Sequence, residues 1–303
     1  MKKYIQSSFY FEGHWENISK EEIDYYKSIN KDDWALERLN HLPFKYEVVI
    51  QAIARQEEKY LKEWIEYHIN LGIEHIFLYD NNDEDGLDDF LNNTLNEYYY
   101  SKIEVIPFHD YHDMQQYDAL YDAVNKHKYE AKWFLSIDID EFLYLEVDIK
   151  TFLQMFSDAS QIYLSWESFN ADGQLYYEDK PVMERFKQTF QCLDAGQGKI
   201  LFRPTRLKKW GIHSATLTKG KTVNVLHQEI TPPQSFANIY QVAWIKHYFT
   251  KSLEEWNEKI KRGCCDKYYC RRYSSFFEIN KDLKDYYDNK MLRIQKHTVG
   301  KLF

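Results

Sequence analysis

Between residues 46 and 140, four β-type runs and three stretches of helical spacing alternate without interruption, and few folds accommodate that rhythm. "YEVVIQAIA" (46–54) is apolar and β-branched throughout, the pattern of a strand covered on both faces. "EEKYLKEWIEYHINLG" (57–72) sets Leu61, Trp64, Ile65, His68, Ile69 and Leu71 on one helical face and stops at Gly72. "HIFLYDN" (75–81), "KIEVIPF" (102–108) and "KWFLSIDID" (132–140) read as three more strands. Helical "GLDDFLNNTLNEYYY" and "MQQYDALYDAVNKHKYE" lie between them. The alternation predicts an α/β fold with a doubly wound, mostly parallel central sheet and right-handed crossovers.

Outside that stretch the rhythm loosens. Residues 1–45 are polar and aromatic and end near Pro43, as an N-terminal extension would. Residues 46–160 form the first half of the fold and 161–263 the second. In the second half "QIYLSWESFNADG" reads as a strand ending in a turn and "KILFRPTRLKKWGIHSATL" as short strands. "KSLEEWNEKIKRG" and a helical segment over 264–303 close the chain.

A net charge of −9 and the lack of a long Lys/Arg block argue against nucleic acid as a partner. No apolar stretch reaches the roughly 20 residues that span a bilayer, and residues 1–22 lack the apolar core of a signal peptide. The expectation is a cytoplasmic protein able to work at the inner face of the membrane. Cys192, Cys264, Cys265 and Cys270 lack paired C-x-x-C spacing and read as ordinary thiols. The 26 Tyr and 8 Trp offer flat apolar faces with polar tips, suited to sugars but equally to an aromatic core.

Ligands of open α/β sheets bind where strands end, and the unusual residues fall there. Arg55, Gln56 and Glu57 follow the first strand, Asp80, Asn81 and Asn82 the second, and Asp138, Asp140 and Glu141 the fourth. Burying unpaired carboxylates costs several kcal/mol. In an extended segment Asp138 and Asp140 point to one side, and a hard divalent cation, Mn²⁺ or Mg²⁺, would relieve their repulsion while holding a substrate phosphate. The competing reading is a helix start, with Asp140 or Glu141 capping "EFLYL".

"AIARQEEKYLKEWIEYHINLGIEHIFLYDNNDEDG", "QQYDALYDAVNKHKYEAKWFLSIDIDEFL", "WESFNADG", "ERF", "KILFRP" and "IKHYFTKSLEEWNEKIKRG" run in order from about residue 50 to 263. Together they resemble the blocks of glycosyltransferase family 92 and the family 2-like group. The resemblance implies a GT-A fold and transfer of a sugar, galactose or glucose, from a UDP-sugar to a glycan, glycolipid or glycoprotein hydroxyl, with inversion. It implies polysaccharide or related biosynthesis. By position it makes Asp138 and Asp140 the D-x-D metal and diphosphate ligands and His247 a third metal ligand. Arg55, Glu57, Asp80 and Asn81 become nucleoside-pocket residues, with Gln116 and Asp122 as further donor-site candidates. The chain has Gln56 where the family frequently has Asn, and "SFNADG" where a Phe-Gly turn is common.

Inversion asks a carboxylate to take the acceptor's proton, and Glu167 and Glu184 are favoured over Asp172 and Asp194. A salt bridge is the plainer role for Glu184. Lys199, Arg203 and Lys251 are candidates to neutralise the leaving diphosphate, while Trp166, Phe169 and Trp210 can stack on a sugar or fill the core. Two other classes stay open: a sugar-phosphate nucleotidyltransferase, although "ARQEEKYL" lacks the glycines of its phosphate loop, and a non-catalytic carbohydrate-binding protein on a transferase fold.

Overall fold

The structure is a computed structural model that describes residues 44–109, 114–190, 197–231, 238–263 and 271–284. Apart from residues 44 and 45, the expected N-terminal extension lies outside the described residues, as do all four cysteines and Asp194. Of the segment expected over 264–303, only 271–284 is described.

Strand β1 (Tyr46–Ala54) pairs in parallel with both β2 (His75–Asp80) and β4 (Ala131–Ser136), and its Val48, Val49 and Ile50 are at most 1% exposed. Neighbours on both edges and cover on both faces explain its unbroken apolar sequence. Strand β3 (Ile103–Pro107) adds in parallel outside β2. Helix α1 (Glu58–Leu71) buries the expected face, save that Leu71 is only half-buried, and stops at Gly72. There φ is 105° and the N–H bonds back to His68 and Ile69, a backbone shape that favours glycine. The helical stretch expected after β2 is two helices, α2 (Leu87–Thr94) and α3 (Glu97–Tyr100), because the Asn96 side chain accepts from Tyr99 N and starts a new helix. Helix α4 (Gln115–His127) leads into β4.

Beyond β4 the sheet reverses at β7, resumes through β6 and β11, and reverses again at the edge strand β5. Strand β5 (Glu141–Leu145) follows β4 in sequence but lies at the far edge, beyond β7 (Gly198–Phe202), β6 (Gln161–Ser168) and β11 (Ala243–His247). The order is β3-β2-β1-β4-β7-β6-β11-β5, with β10 (Thr222–Asn224) beside β6. Because β7 is antiparallel to both β4 and β6, strand β6 runs in the direction of β1, and β11 is parallel to β6. Short β8 (Leu207–Lys209) and β9 (Thr216–Leu217) pair apart from this sheet. Helices α5 (Ile149–Met155), α6 (Val182–Arg185), α7 (Leu253–Arg262) and α8 (Tyr273–Ile279) and a 3-10 turn at Pro204–Arg206 complete the described elements.

Two expectations around the acidic triplet are corrected. The fourth strand ends at Ser136, so Asp138–Asp140 is not extended, and "EFLYL" is strand β5 rather than a helix start. The reason is a reciprocal turn: Glu141 N donates to Asp138 O at 3.0 Å, and Asp138 N donates to the Glu141 carboxylate at 2.9 Å. Strand β5 then gains antiparallel pairing with β11 along its whole length.

The outer edge of β5 is covered by side chains of α1. Trp64 Nε1 donates to Glu141 O at 2.8 Å and Tyr67 Oη to Leu143 O at 2.8 Å, while Leu143 N donates to His68 Nε2 at 3.2 Å. The other His68 nitrogen, Nδ1, donates to Trp64 O at 2.8 Å. Burial lowers the His68 pKa to about 3, so the ring is neutral and can accept from the strand. An edge strand that would otherwise show bare backbone groups is thereby fixed against a helix. The turn bearing Asp138 and Asp140 is fixed with it.

Candidate active site

Strands β1, β2, β4, β6 and β11 all point their C-terminal ends to one edge of the sheet, and β5 begins there opposite His247. Asp138, Asp140, Glu141, Lys199, His247, Lys251 and Lys259 meet at this edge. Lys199 Nζ, wholly buried, lies 3.2 Å from Asp138 Oδ2 and 3.4 Å from Glu141 Oε2. The Lys259 ammonium bonds to Asp140 Oδ2 at 2.5 Å, and Lys251 Nζ stands 3.7 Å from the same oxygen. His247 Nε2 is 3.7 Å from Asp140 Oδ1. Gln116 donates its amide to Asp138.

The electrostatics follow from burial opposed by these ammonium groups. Burial pushes both aspartates up, but Lys199 holds Asp138 below its ordinary value, and Lys259 and Lys251 hold Asp140 well below it. Burial drives Glu141 well above the usual carboxylate range, aided by Asp138 and Asp140 against the pull of Lys199. Burial lowers His247 to about 3, which leaves a neutral imidazole, and lowers Lys259 to about 8.

A cavity of about 560 Å³ adjoins this knot and shares Lys251 and Lys259 with it; Gln56, Tyr60, Phe90 and Arg262 are among its other walls. Gln56 (φ 53°) and Lys251 (φ 52°) both take the left-handed backbone that non-glycine residues adopt at a cost, and both line this cavity. The size suits a nucleotide-sized ligand.

Of the residues expected in a nucleoside pocket, Glu57 lines the cavity and pairs with Arg262 at 2.8 Å. The others knit the strand-end loops together. Arg55 donates to Asn81 O at 2.6 Å and to Asp83 at 2.7 Å, Asp80 accepts from Asn82 N at 3.0 Å, and Asn81 donates to Phe108 O at 2.6 Å. Asp122 accepts from Tyr79 Oη at 2.8 Å and pairs with Lys126.

The two favoured bases are not brought to the knot. Along β6, Trp166 turns its ring to His247, with centroids 4.5 Å apart, so Glu167 points the opposite way and accepts from Trp244 Nε1 at 2.9 Å. Glu184 is exposed on α6, and its neighbour Arg185 makes the ion pair there, to Glu255. Asp172 accepts from Lys187 N at 3.1 Å in a turn. Arg203 packs over Trp133 and donates to the carbonyls of Ala159 and Ser157, so it serves the core.

Lys259, Arg262, Glu255 and Tyr60 were missed. Their signal was a charged stripe of Lys251, Glu255, Lys259 and Arg262 at spacings of four, four and three along and just before α7, the helical period that puts them on one face. Glu255 accepts from Arg185 through two bonds of 2.8 Å, from Tyr60 Oη at 2.8 Å and from Ser252, which caps α7. Although burial pushes Glu255 up, Arg185 and Ser252 outweigh it and bring the pKa to about 2. A carboxylate lowered on folding stabilises the folded state above its unfolded pKa and loses that contribution as pH falls through the folded value. Urea unfolding is therefore expected to show about 3 kcal/mol of stability lost between about pH 4.3 and pH 2, a loss missing from a Glu255→Gln variant.

Among the described residues no three His, Cys, Asp or Glu side chains form a metal cage by themselves. The donor set still fits a hard cation bound together with a phosphate: two carboxylates, and a neutral imidazole whose Nε2 stands 3.7 Å from Asp140 Oδ1. Three lysines already match or outweigh the charge of the three carboxyl groups, since burial holds Glu141 well above the usual carboxylate range. A divalent cation alone would overcharge the knot, whereas a cation accompanied by a diphosphate would not.

The family model described as Glycosyltransferase family 92 matches residues 45–268. A glycosyltransferase family 92 protein of Ricinus communis is 29% identical over 127 residues, covering 38% of this chain and 21% of that protein. One from Oryza sativa subsp. japonica is 23% identical over 223 residues, covering 71% of this chain and 35% of that protein. The chain thus spans well under half the length of the curated relatives it matches. Among solved structures, HddC from Yersinia pseudotuberculosis is 16% identical, with a TM-score of 0.38 over 74% of this chain and 100% of that one.

Proposed function

The chain belongs to glycosyltransferase family 92, and from that premise we propose that it moves a hexose, galactose or glucose, from a UDP-hexose to a hydroxyl of a glycan, glycolipid or glycoprotein, with inversion and with Mn²⁺ or Mg²⁺. The observation that carries this reading is the meeting of Asp138 and Asp140 with Lys199, Lys251 and Lys259 beside a nucleotide-sized cavity. Asp138, Asp140 and His247 would hold the cation, which supplies a positive charge for the leaving diphosphate. Lys251 and Lys259 line the wall where phosphates would lie and add fixed positive charge as the sugar–phosphate bond breaks. The turn is held by Glu141 from within and by Trp64 and His68 from α1, so these charges need little reorganisation during the reaction.

The charge balance of the knot yields the test. In a thermal-shift titration Mn²⁺ alone is expected to change the melting temperature little, and UDP with Mn²⁺ to raise it by more than the two separate effects combined. A stabilisation by Mn²⁺ alone as large as that by the pair would contradict the shared site. No response to UDP, UDP-galactose or UDP-glucose with Mn²⁺ would sink the donor reading.

A further inference from the structure

We propose that His213 is the group that takes the proton from the acceptor hydroxyl. This deepens the transferase reading above and rests on it. His213 sits in the loop between β8 and β9, a segment with little freedom: a side chain at Gly211 would meet Ser214 O at 2.2 Å, and Ala215 N is tied to the buried Gln161 side chain at 3.1 Å. Its Nδ1 faces the carbonyl of Gly198 at 2.9 Å and must therefore donate. Nε2 is left as the lone-pair nitrogen, with no hydrogen bond among the described residues, on a residue that is exposed.

The surroundings fit the role. The ring meets Trp166 edge-on, with centroids 5.3 Å apart and planes at 87°, and Trp166 in turn packs on His247 and lies 5.9 Å from Lys199 Nζ. His213 therefore stands one aromatic ring away from the diphosphate platform, on the side formed by β6 and β7. The indole Nε1 of Trp166 is buried without a hydrogen-bond partner among the described residues. The charged groups that face His213 are Lys199 and Asp138. Packing around the inner part of the ring, with Lys199, keeps its pKa below the ordinary imidazole value against the opposing pull of the Gly198 carbonyl and Asp138, so it is unprotonated at neutral pH.

The step balances without another reactant. The hydroxyl proton passes to Nε2 as the acceptor oxygen bonds to the anomeric carbon. The bond from that carbon to the diphosphate oxygen breaks, and its electron pair leaves with the diphosphate. The imidazolium then gives its proton to water.

The test uses the full chain, UDP-galactose and UDP-glucose with Mn²⁺, and release of UDP to water or to methyl galactosides. His213→Gln and His213→Ala are expected to lower kcat by about 100-fold or more. Binding of UDP with Mn²⁺ should stay within about twofold, the acidic limb of the pH profile should disappear, and added imidazole should restore turnover to the alanine variant. Retention of kcat within about threefold with an unchanged pH profile would overturn the assignment, and so would a loss of turnover that travels with loss of UDP binding and is not rescued by imidazole. Wild-type protein that releases no UDP from either donor overturns the donor reading and this assignment with it. Wild-type turnover that is indifferent to His213 overturns this assignment alone.

Discussion

Asp138→Asn is expected to lower Mn²⁺-dependent UDP release by about a thousandfold, about 4 kcal/mol of barrier, while leaving the protein folded. The reasoning separates the two aspartates. The Asp138 side chain is 37% exposed and touches Lys199 and Gln116, and Lys199 keeps a second carboxylate, Glu141, after the change. Asparagine also preserves shape and an oxygen for Gln116. Asp140, by contrast, is the acceptor for Lys259 and the near neighbour of Lys251 and His247, all buried, so Asp140→Asn strands charge in the interior and loses stability together with function. The diagnostic pair is therefore kcat of UDP release against urea midpoint. Asp138→Asn should move the first and scarcely the second; turnover preserved within about tenfold would remove Asp138 from the proposed diphosphate platform.

Arg185→Met is expected to cost about 3–5 kcal/mol in unfolding free energy. The Arg185–Glu255 pair has side chains 1% and 2% exposed, with both guanidinium bonds at 2.8 Å. Removing the arginine leaves Glu255 in the interior with Tyr60 Oη and the Ser252 cap as hydrogen-bond partners among the described residues, and Lys251 as the nearby cation. Against a total stability of about 5–15 kcal/mol for a typical domain, such a loss is large. The double change Arg185→Met with Glu255→Met removes the stranded charge and should recover much of the loss, since a buried pair and a packed apolar pair of like volume differ little. Urea unfolding of the two variants decides it, and a single-variant cost under about 1 kcal/mol would show the pair to be solvated. Tyr60 and Glu255 both line the cavity, so weaker UDP binding is expected beside the lost stability.

Much of the architecture can be read from the chain because it is written in local periodicity. Unbroken β-branched runs gave β1 and β2, the spacing through Trp64 and His68 gave the buried face of α1, and Gly72 its end. The ordered blocks, which resemble family 92, led to the family that the match over 45–268 shows. Around the acidic triplet the same periodicity misled. "SIDIDEFLYL" keeps its apolar alternation through a turn, and nothing local reports that β5 leaves β4 to pair with β11.

What the sequence determined alone was the identity of β1 to β4 and of the helices α1 and α4 between them, their order along the chain and the concentration of polar residues where strands end. These depend on contacts within a few residues, which the chain carries in its spacing. Tertiary structure decided the use of each polar group: Lys199, Lys251 and Lys259 brought to Asp138 and Asp140 from elements up to 119 residues away in sequence, Arg55 and Asn81 spent on loops, Glu167 turned from the knot, and His213 placed beside Trp166. The cause is energetic. A buried charge must find a partner at whatever chain distance the fold permits, and that partner is chosen by strand order, which no local pattern records.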